Sequence, residues 1–241
     1  MYFRTNLQFL RKRGGITQER LAQQMGVSRQ TISKWESGEA APELPKLMEL
    51  ADIFSCKLDA LLREDLSVQA SPVRILRVRG FRMARYVMIS AHAQADATAY
   101  MDRWAQSSGL LAVPGYSPKR IGWGFPYVSA EQKNRFGLRG YAAAYILPED
   151  FAPDCPGPEI VTQADCDYAV LTIAGPFGPG SRHISQGIQT ILEYLREAGI
   201  KKAAKDGFLP CFERRYQKDG IPCADIFLQC RDAAAEEVFS F

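Results

Sequence analysis

Arg29 and Gln30 stand side by side, and each ends in a two-pronged hydrogen-bonding edge. An arginine can bond guanine at two points, and a glutamine can do the same with adenine. Ser28, Thr31 and Lys34 flank them, and Gln18 lies ten residues before. Such polar side chains contact phosphates or bases, with phosphate the commoner destination. All six lie in a basic stretch. From Met1 to Trp35 the basic residues are Arg4, Arg11, Lys12, Arg13, Arg20, Arg29 and Lys34, against the single acid Glu19. From Glu36 to Asp65 the balance reverses, with eight acids against Lys46, Lys57 and Arg63. The whole chain of 241 residues carries only +3. A locally positive segment in a near-neutral chain points to a polyanionic partner, although a solvated helix face would also account for the charge alone.

Glu213 offers a second kind of chemistry. It falls between Phe212 and Arg214, in a segment otherwise suited to burial. A carboxylate buried among aromatic rings favours a bound cation through charge pairing, to which the rings add cation–π attraction. Trp123, Phe125, Tyr127, Tyr141, Tyr145 and Phe177 are the candidate rings, each equally at home in an ordinary core. The competing reading pairs Glu213 with Arg214, Arg215 or Arg139 at the surface. The six cysteines form no C-x-x-C pair, and His92 and His183 are the two histidines, so no metal or other cofactor is expected. Free thiols rather than disulfides suit a reducing compartment.

The elements that position these residues divide near Asp65. Five short amphipathic helices are expected before it. Phe3–Arg13 ends at Gly14-Gly15, and Thr17 caps a second helix holding Leu21, Ala22 and Met25. Gly26 breaks that helix, Ser28 caps the third, and Gly38 closes it after Ile32 and Trp35. A fourth helix follows at about Glu43–Phe54, then a turn with Leu58, Leu61 and Leu62. A helix, a glycine turn and a second helix at a steep angle would project Arg29 and Gln30 outward. Residues 66–73 read as a linker between a domain of residues 1–65 and a second of residues 74–241.

The second domain reads as an α+β fold made of two repeats, about 74–148 and 165–231. Each runs strand, helix, strand, strand. Phe81–Ser90, a helix from Gln94, Arg120–Val128 and Gly140–Leu147 form the first. Cys166–Ala174, a helix from His183, Cys211–Tyr216 and Cys223–Cys230 form the second. Two such βαββ units would build a mostly antiparallel sheet with both helices on one face. The opposite face would then hold a groove at the junction, and the proline-rich insert Glu149–Ala164 could cover it.

Two resemblances sharpen this picture. Ile16–Gly38 resembles the XRE family of lambda-repressor-like helix-turn-helix domains. Gln18, Leu21-Ala22, Gly26-Val27-Ser28, Thr31-Ile32-Ser33, Trp35-Glu36 and Gly38 carry the likeness. It implies that Gln18 donates to a phosphate, that Arg29 and Gln30 read bases, and that Ser28, Thr31 and Lys34 contact phosphate or bases. Residues 74–231 are similar to GyrI-like effector-binding domains, found in multidrug-responsive regulators. The segments Arg120–Gly124, Gly137–Tyr141, Tyr168–Val170, Gly175–Phe177, Phe212–Tyr216 and Ala224–Phe227 carry that likeness. It implies that Glu213 lies at the floor of a small-molecule pocket.

The expectation is therefore a cytoplasmic, dimeric transcriptional regulator, not an enzyme. Its partners would be double-stranded DNA and a small aromatic or cationic effector. The alternatives are a second domain that binds a protein partner, or one that hydrolyses small molecules using Glu213. No apolar run reaches the roughly 20 residues of a membrane-spanning helix, and no signal-peptide core is evident.

Overall fold

Short polar residues and glycines punctuate the first unit into α1 (Phe3–Arg13), α2 (Gln18–Met25), α3 (Arg29–Ser37), α4 (Leu44–Ile53) and α5 (Leu58–Arg63). The computed structural model describes residues 2–175, 183–203, 209–231 and 233–241. It divides into two compact units, the second beginning at Ala70. The Thr17 hydroxyl accepts from the Arg20 amide at 3.1 Å, and Ser28 accepts from Thr31 at the same distance. Caps of this kind contribute about 1 kcal/mol each. Gly26 and Gly38 follow α2 and α3 with φ of 61° and 82°, the left-handed conformation that lets a helix turn away at little cost.

Phe3, Leu7, Leu21, Met25, Ile32, Trp35, Leu50 and Leu61 form one core between these helices. A buried polar residue closes it. The Asn6 amide donates to the carbonyls of Leu61 at 2.9 Å and Glu64 at 2.6 Å, and its oxygen accepts from Leu66 at 2.9 Å. These bonds tie the end of α5 to α1. Asn6→Ala strands the buried carbonyls, at a cost of about 2 kcal/mol. Hydrogen exchange should show faster opening of α1 and α5 amides; unchanged protection would refute this.

The second unit holds β2 (Arg74–Val78), β3 (Phe81–Ser90), α6 (Ala93–Ser107), β4 (Arg120–Gly124), α7 (Ala130–Arg135), β5 (Arg139–Leu147) and β6 (Glu159–Gln163). It continues with β7 (Cys166–Ala174), α8 (His183–Glu197), β9 (Cys211–Lys218), β10 (Ile221–Arg231) and β11 (Glu237–Phe239). The two-residue pieces β1 (Gln69–Ala70) and β8 (Lys201–Lys202) complete the strands among the described residues. The sheet runs β11-β2-β7-β10-β9-β4-β5-β3-β6. The expected βαββ units are both present, as β3-α6-β4-β5 and β7-α8-β9-β10. They meet where Gly122 of β4 pairs with Glu213 of β9. Pairing is antiparallel along the path except between β11 and β2, which run parallel.

One face of the sheet packs Phe81, Met83, Ile121, Ile146, Tyr168, Phe212 and Phe227 together, with Phe239 and Phe241 against them. Helices α6 and α8 lie on the other face. Both lie on the face bearing Glu213, because Gln94 of α6 bonds it and Gly187 of α8 sits over Ile226, its cross-strand partner. The expected placement of the groove on the side opposite the helices is thus corrected. Strand side chains alternate between faces, and Glu213 falls on the same parity as Ile226 and Tyr141, under the helices.

Other boundaries moved as well. Strand β4 stops at Gly124 instead of reaching Val128, and Pro126, which lacks an N–H for a ladder, lies just beyond. Ser129 and Gln132 then form a reciprocal capping box that starts α7. The insert 149–164 does not roof the groove. Its end becomes β6, paired to β3 at the sheet edge. Residues 66–73 are held at both ends, Leu66 by Asn6 and Ser71 by Thr172. No described helix is long and apolar enough to cross a membrane.

Candidate functional sites

In the first unit, Ile32 and Trp35 anchor α3 in the core, which turns Arg29, Gln30, Ser33 and Lys34 outward. These four form two i, i+4 pairs on one exposed strip. Among the described residues the side chains of Arg29, Gln30 and Lys34 make no hydrogen bond or ion pair within the chain, so their donors and acceptors remain available. Ser33 was not singled out from sequence, although its spacing from Arg29 placed it on this strip.

Other expected contacts are partly committed to the fold. The Ser28 hydroxyl caps α3 and lies 2.9 Å from the Thr31 hydroxyl. The Gln18 amide donates to Glu36 at 2.9 Å, leaving its second amide hydrogen. Arg11 gives Glu36 a fork at 2.5 and 3.0 Å and also bonds the Ile16 carbonyl. Its charge is therefore spent inside the unit and is not a free phosphate contact. Burial alone would raise the Glu36 pKa, but the bonds from Arg11 and Gln18 outweigh it and hold the carboxyl below its ordinary value.

In the second unit a cavity of about 600 Å³ opens where the two repeats meet. Gln94, Trp123, Phe125, Tyr127, Tyr141, Ile184, Ile188, Glu213 and Arg215 are among the residues that line it. Five of the seven expected ligand residues therefore come together. Trp123 also packs against the core of the opposite face, and Tyr127 stands exposed at the rim beside Phe125. Tyr145 does not join them. It shares the face of Tyr141 but lies beneath α6, with its hydroxyl 2.8 Å from Asp102. Phe177 lies outside the described residues.

Glu213 is buried, and the Tyr141 hydroxyl donates to it at 2.7 Å. Arg215 pairs with it at 3.1 Å from two residues along the same strand. The competing reading named Arg215 as a partner of Glu213, but at the surface, whereas the Glu213 side chain is 7% exposed; Gln94, Ile184 and Ile188 carried no signal beyond the helical apolar pattern. Burial raises the Tyr141 phenol above the usual tyrosine range, and the neighbouring carboxylate raises it further. It stays a neutral donor. Burial likewise pushes the Cys211 thiol up to about 11, so it lines the cavity as an uncharged group.

Gly122 makes this arrangement possible. A Cβ there would lie 2.2 Å from the Tyr141 hydroxyl. Gly122→Ala must displace that ring and break its bond to Glu213, destabilising the second unit by about 1–3 kcal/mol. Urea unfolding followed by circular dichroism measures this, and an unchanged midpoint for the second unit would refute the close packing.

Comparison with known proteins decides the family of the first unit. A helix-turn-helix family model matches residues 7–61. An HTH-type transcriptional regulator of Methanocaldococcus jannaschii is 38% identical over 63 residues, covering 26% of this chain and 96% of that protein. The chain belongs to the HTH-type transcriptional regulators. The HTH-type transcriptional activator BcrR of Enterococcus faecalis is 47% identical over 62 residues. That match covers 26% of this chain and 30% of BcrR, so the likeness of these two HTH-type regulators spans under a third of BcrR. The second unit is similar to SAV2435, solved bound to tetraphenylphosphonium, at 14% identity and a TM-score of 0.41. That alignment covers 67% of this chain and 95% of SAV2435.

Proposed function

We propose that this HTH-type regulator is a cytoplasmic homodimer that binds double-stranded DNA and senses a small aromatic effector through a GyrI-like second domain. The exposed strip of Arg29, Gln30, Ser33 and Lys34 carries the DNA-binding half of this reading. Its side chains are held outward by Ile32 and Trp35 and leave their hydrogen bonds unspent. Gln18, Ser28 and Thr31 border the strip and supply backbone contacts. The cavity at the Gly122–Glu213 junction supports the sensing half, since it joins apolar walls to a few convergent polar groups. Binding fits it better than catalysis, because Glu213 is already bonded to Tyr141 and Arg215 and is not free to act as a base.

The effector would act by favouring one arrangement of the dimer over another, since a ligand shifts an equilibrium only by its difference in affinity. Selection of DNA from a random-sequence pool by the full chain should enrich two related half-sites, about one helical turn apart. Aromatic compounds that raise the melting temperature of the protein should also change its occupancy of that DNA. Ile188→Trp, which fills the cavity, should abolish both effects. Recovery of no common sequence would refute DNA reading. A cavity whose filling leaves every compound effect intact would refute the sensing site.

A further inference from the structure

We propose that the groove takes an aromatic acid, with its carboxylate on the unspent N–H groups of Arg215 and its ring among Phe125, Tyr127 and Ile188. This rests on the reading of the cavity as an effector site and narrows the class of effector.

Glu213 has most of its acceptor capacity already taken, with one position left on Oε2. A carboxylate offers about four acceptor positions. Its Oε1 accepts from the Tyr141 hydroxyl at 2.7 Å, Arg215 Nε at 3.2 Å and Gln94 Nε2 at 3.4 Å. Its Oε2 accepts from Arg215 Nη2 at 3.3 Å. The cation that the sequence led one to expect at Glu213 is supplied by the chain itself. A cationic ligand at Glu213 would have to sit beside the Arg215 guanidinium and face its charge.

The unspent capacity lies on the donor side. A guanidinium carries five N–H groups, and Arg215 commits two of them to Glu213. Its side chain is 37% exposed against 7% for Glu213, so the free part of the fork is the part a ligand meets. Arg85 also borders the cavity, although its guanidinium is paired with Glu159 at 2.9 Å. Among the described lining residues, two cations therefore stand against one anion. Glu213 holds the guanidinium in place from below, which lowers the ordering cost of a charge-assisted bond to a second carboxylate.

Three ligands sharing one ring system separate the possibilities by calorimetry on the full chain: 2-naphthoate, 2-naphthylmethylammonium and the neutral 2-naphthamide. The wild-type protein should bind naphthoate at least about tenfold more tightly than the ammonium, the margin of one charge-assisted contact. Arg215→Gln should weaken naphthoate about tenfold while leaving the amide nearly unchanged. Arg215→Lys, which keeps the charge but loses the fork, should fall between. Equal or tighter binding of the ammonium to wild type overturns the inference, as does naphthoate affinity unchanged in both variants. If the amide and ammonium bind without a preference for the acid, the sensing site stands and only its acid selectivity falls. If none of the three binds, both readings fail.

Discussion

Replacing Arg29 and Gln30 together by alanine is expected to remove operator-specific binding while leaving weak, salt-sensitive attachment to any duplex. Each two-point contact with a purine discriminates by about 1–3 kcal/mol. Losing both corresponds to roughly 30- to 10⁴-fold in affinity for the selected site. Neither residue contributes to the core or to the α3 cap, so the fold of the first unit should be unaffected. Phosphate contacts add a term independent of sequence that declines with salt, and the double variant retains it. Footprinting on the selected DNA tests this directly. An unchanged footprint at the same protein concentration would remove α3 from base reading.

Glu36→Ala acts on the same unit by another route. Glu36 joins three helices, accepting from Arg11 of α1 and Gln18 of α2 while itself lying on α3. Its side chain is 4% exposed and that of Arg11 is 11% exposed. Removing the carboxylate leaves a nearly buried guanidinium without its partner, at a cost of about 3 kcal/mol. The pH dependence has a fixed sign. Because the folded carboxyl titrates below its ordinary value of 4.5, its stabilisation is full above that pH. It is lost as pH falls through the lower folded value. Hydrogen exchange of α1–α3 amides at pH 7 should show the full loss in the variant. The difference from wild type should shrink in acid, and a constant difference would refute the ionic contribution.

The first unit was legible because its signals are local. Thr17 and Ser28 as caps, Gly26 and Gly38 as stops, and Ile32 with Trp35 at helical spacing each act within a few residues. Asn6 escaped notice because its partners lie more than fifty residues away. In the second unit the repeat order was readable from two strand-helix-strand-strand patterns. The face of the groove was not. Alternation along β9 separates Glu213 and Arg215 from Phe212 and Arg214, but it does not say which set the helices cover. Tyr141 and Tyr145 show the same limit. They share a strand and a face, yet one reaches Glu213 while α6 covers the other. Nor does a three-residue strand such as β11 carry enough periodicity to stand out from a tail.

That last strand bears on how the chain is made. Phe239 and Phe241 close the aromatic cluster around Phe81, Phe212 and Phe227, and β11 lies beside β2, 163 residues earlier between Arg74 and Glu237. On the ribosome, the helical unit has all its core residues by Leu61 and can fold while synthesis continues. The sheet must wait until Phe239 and Phe241 have been made. The first unit can thus fold before the second, and a chain cut before β11 would have its first unit whole and its second unsealed.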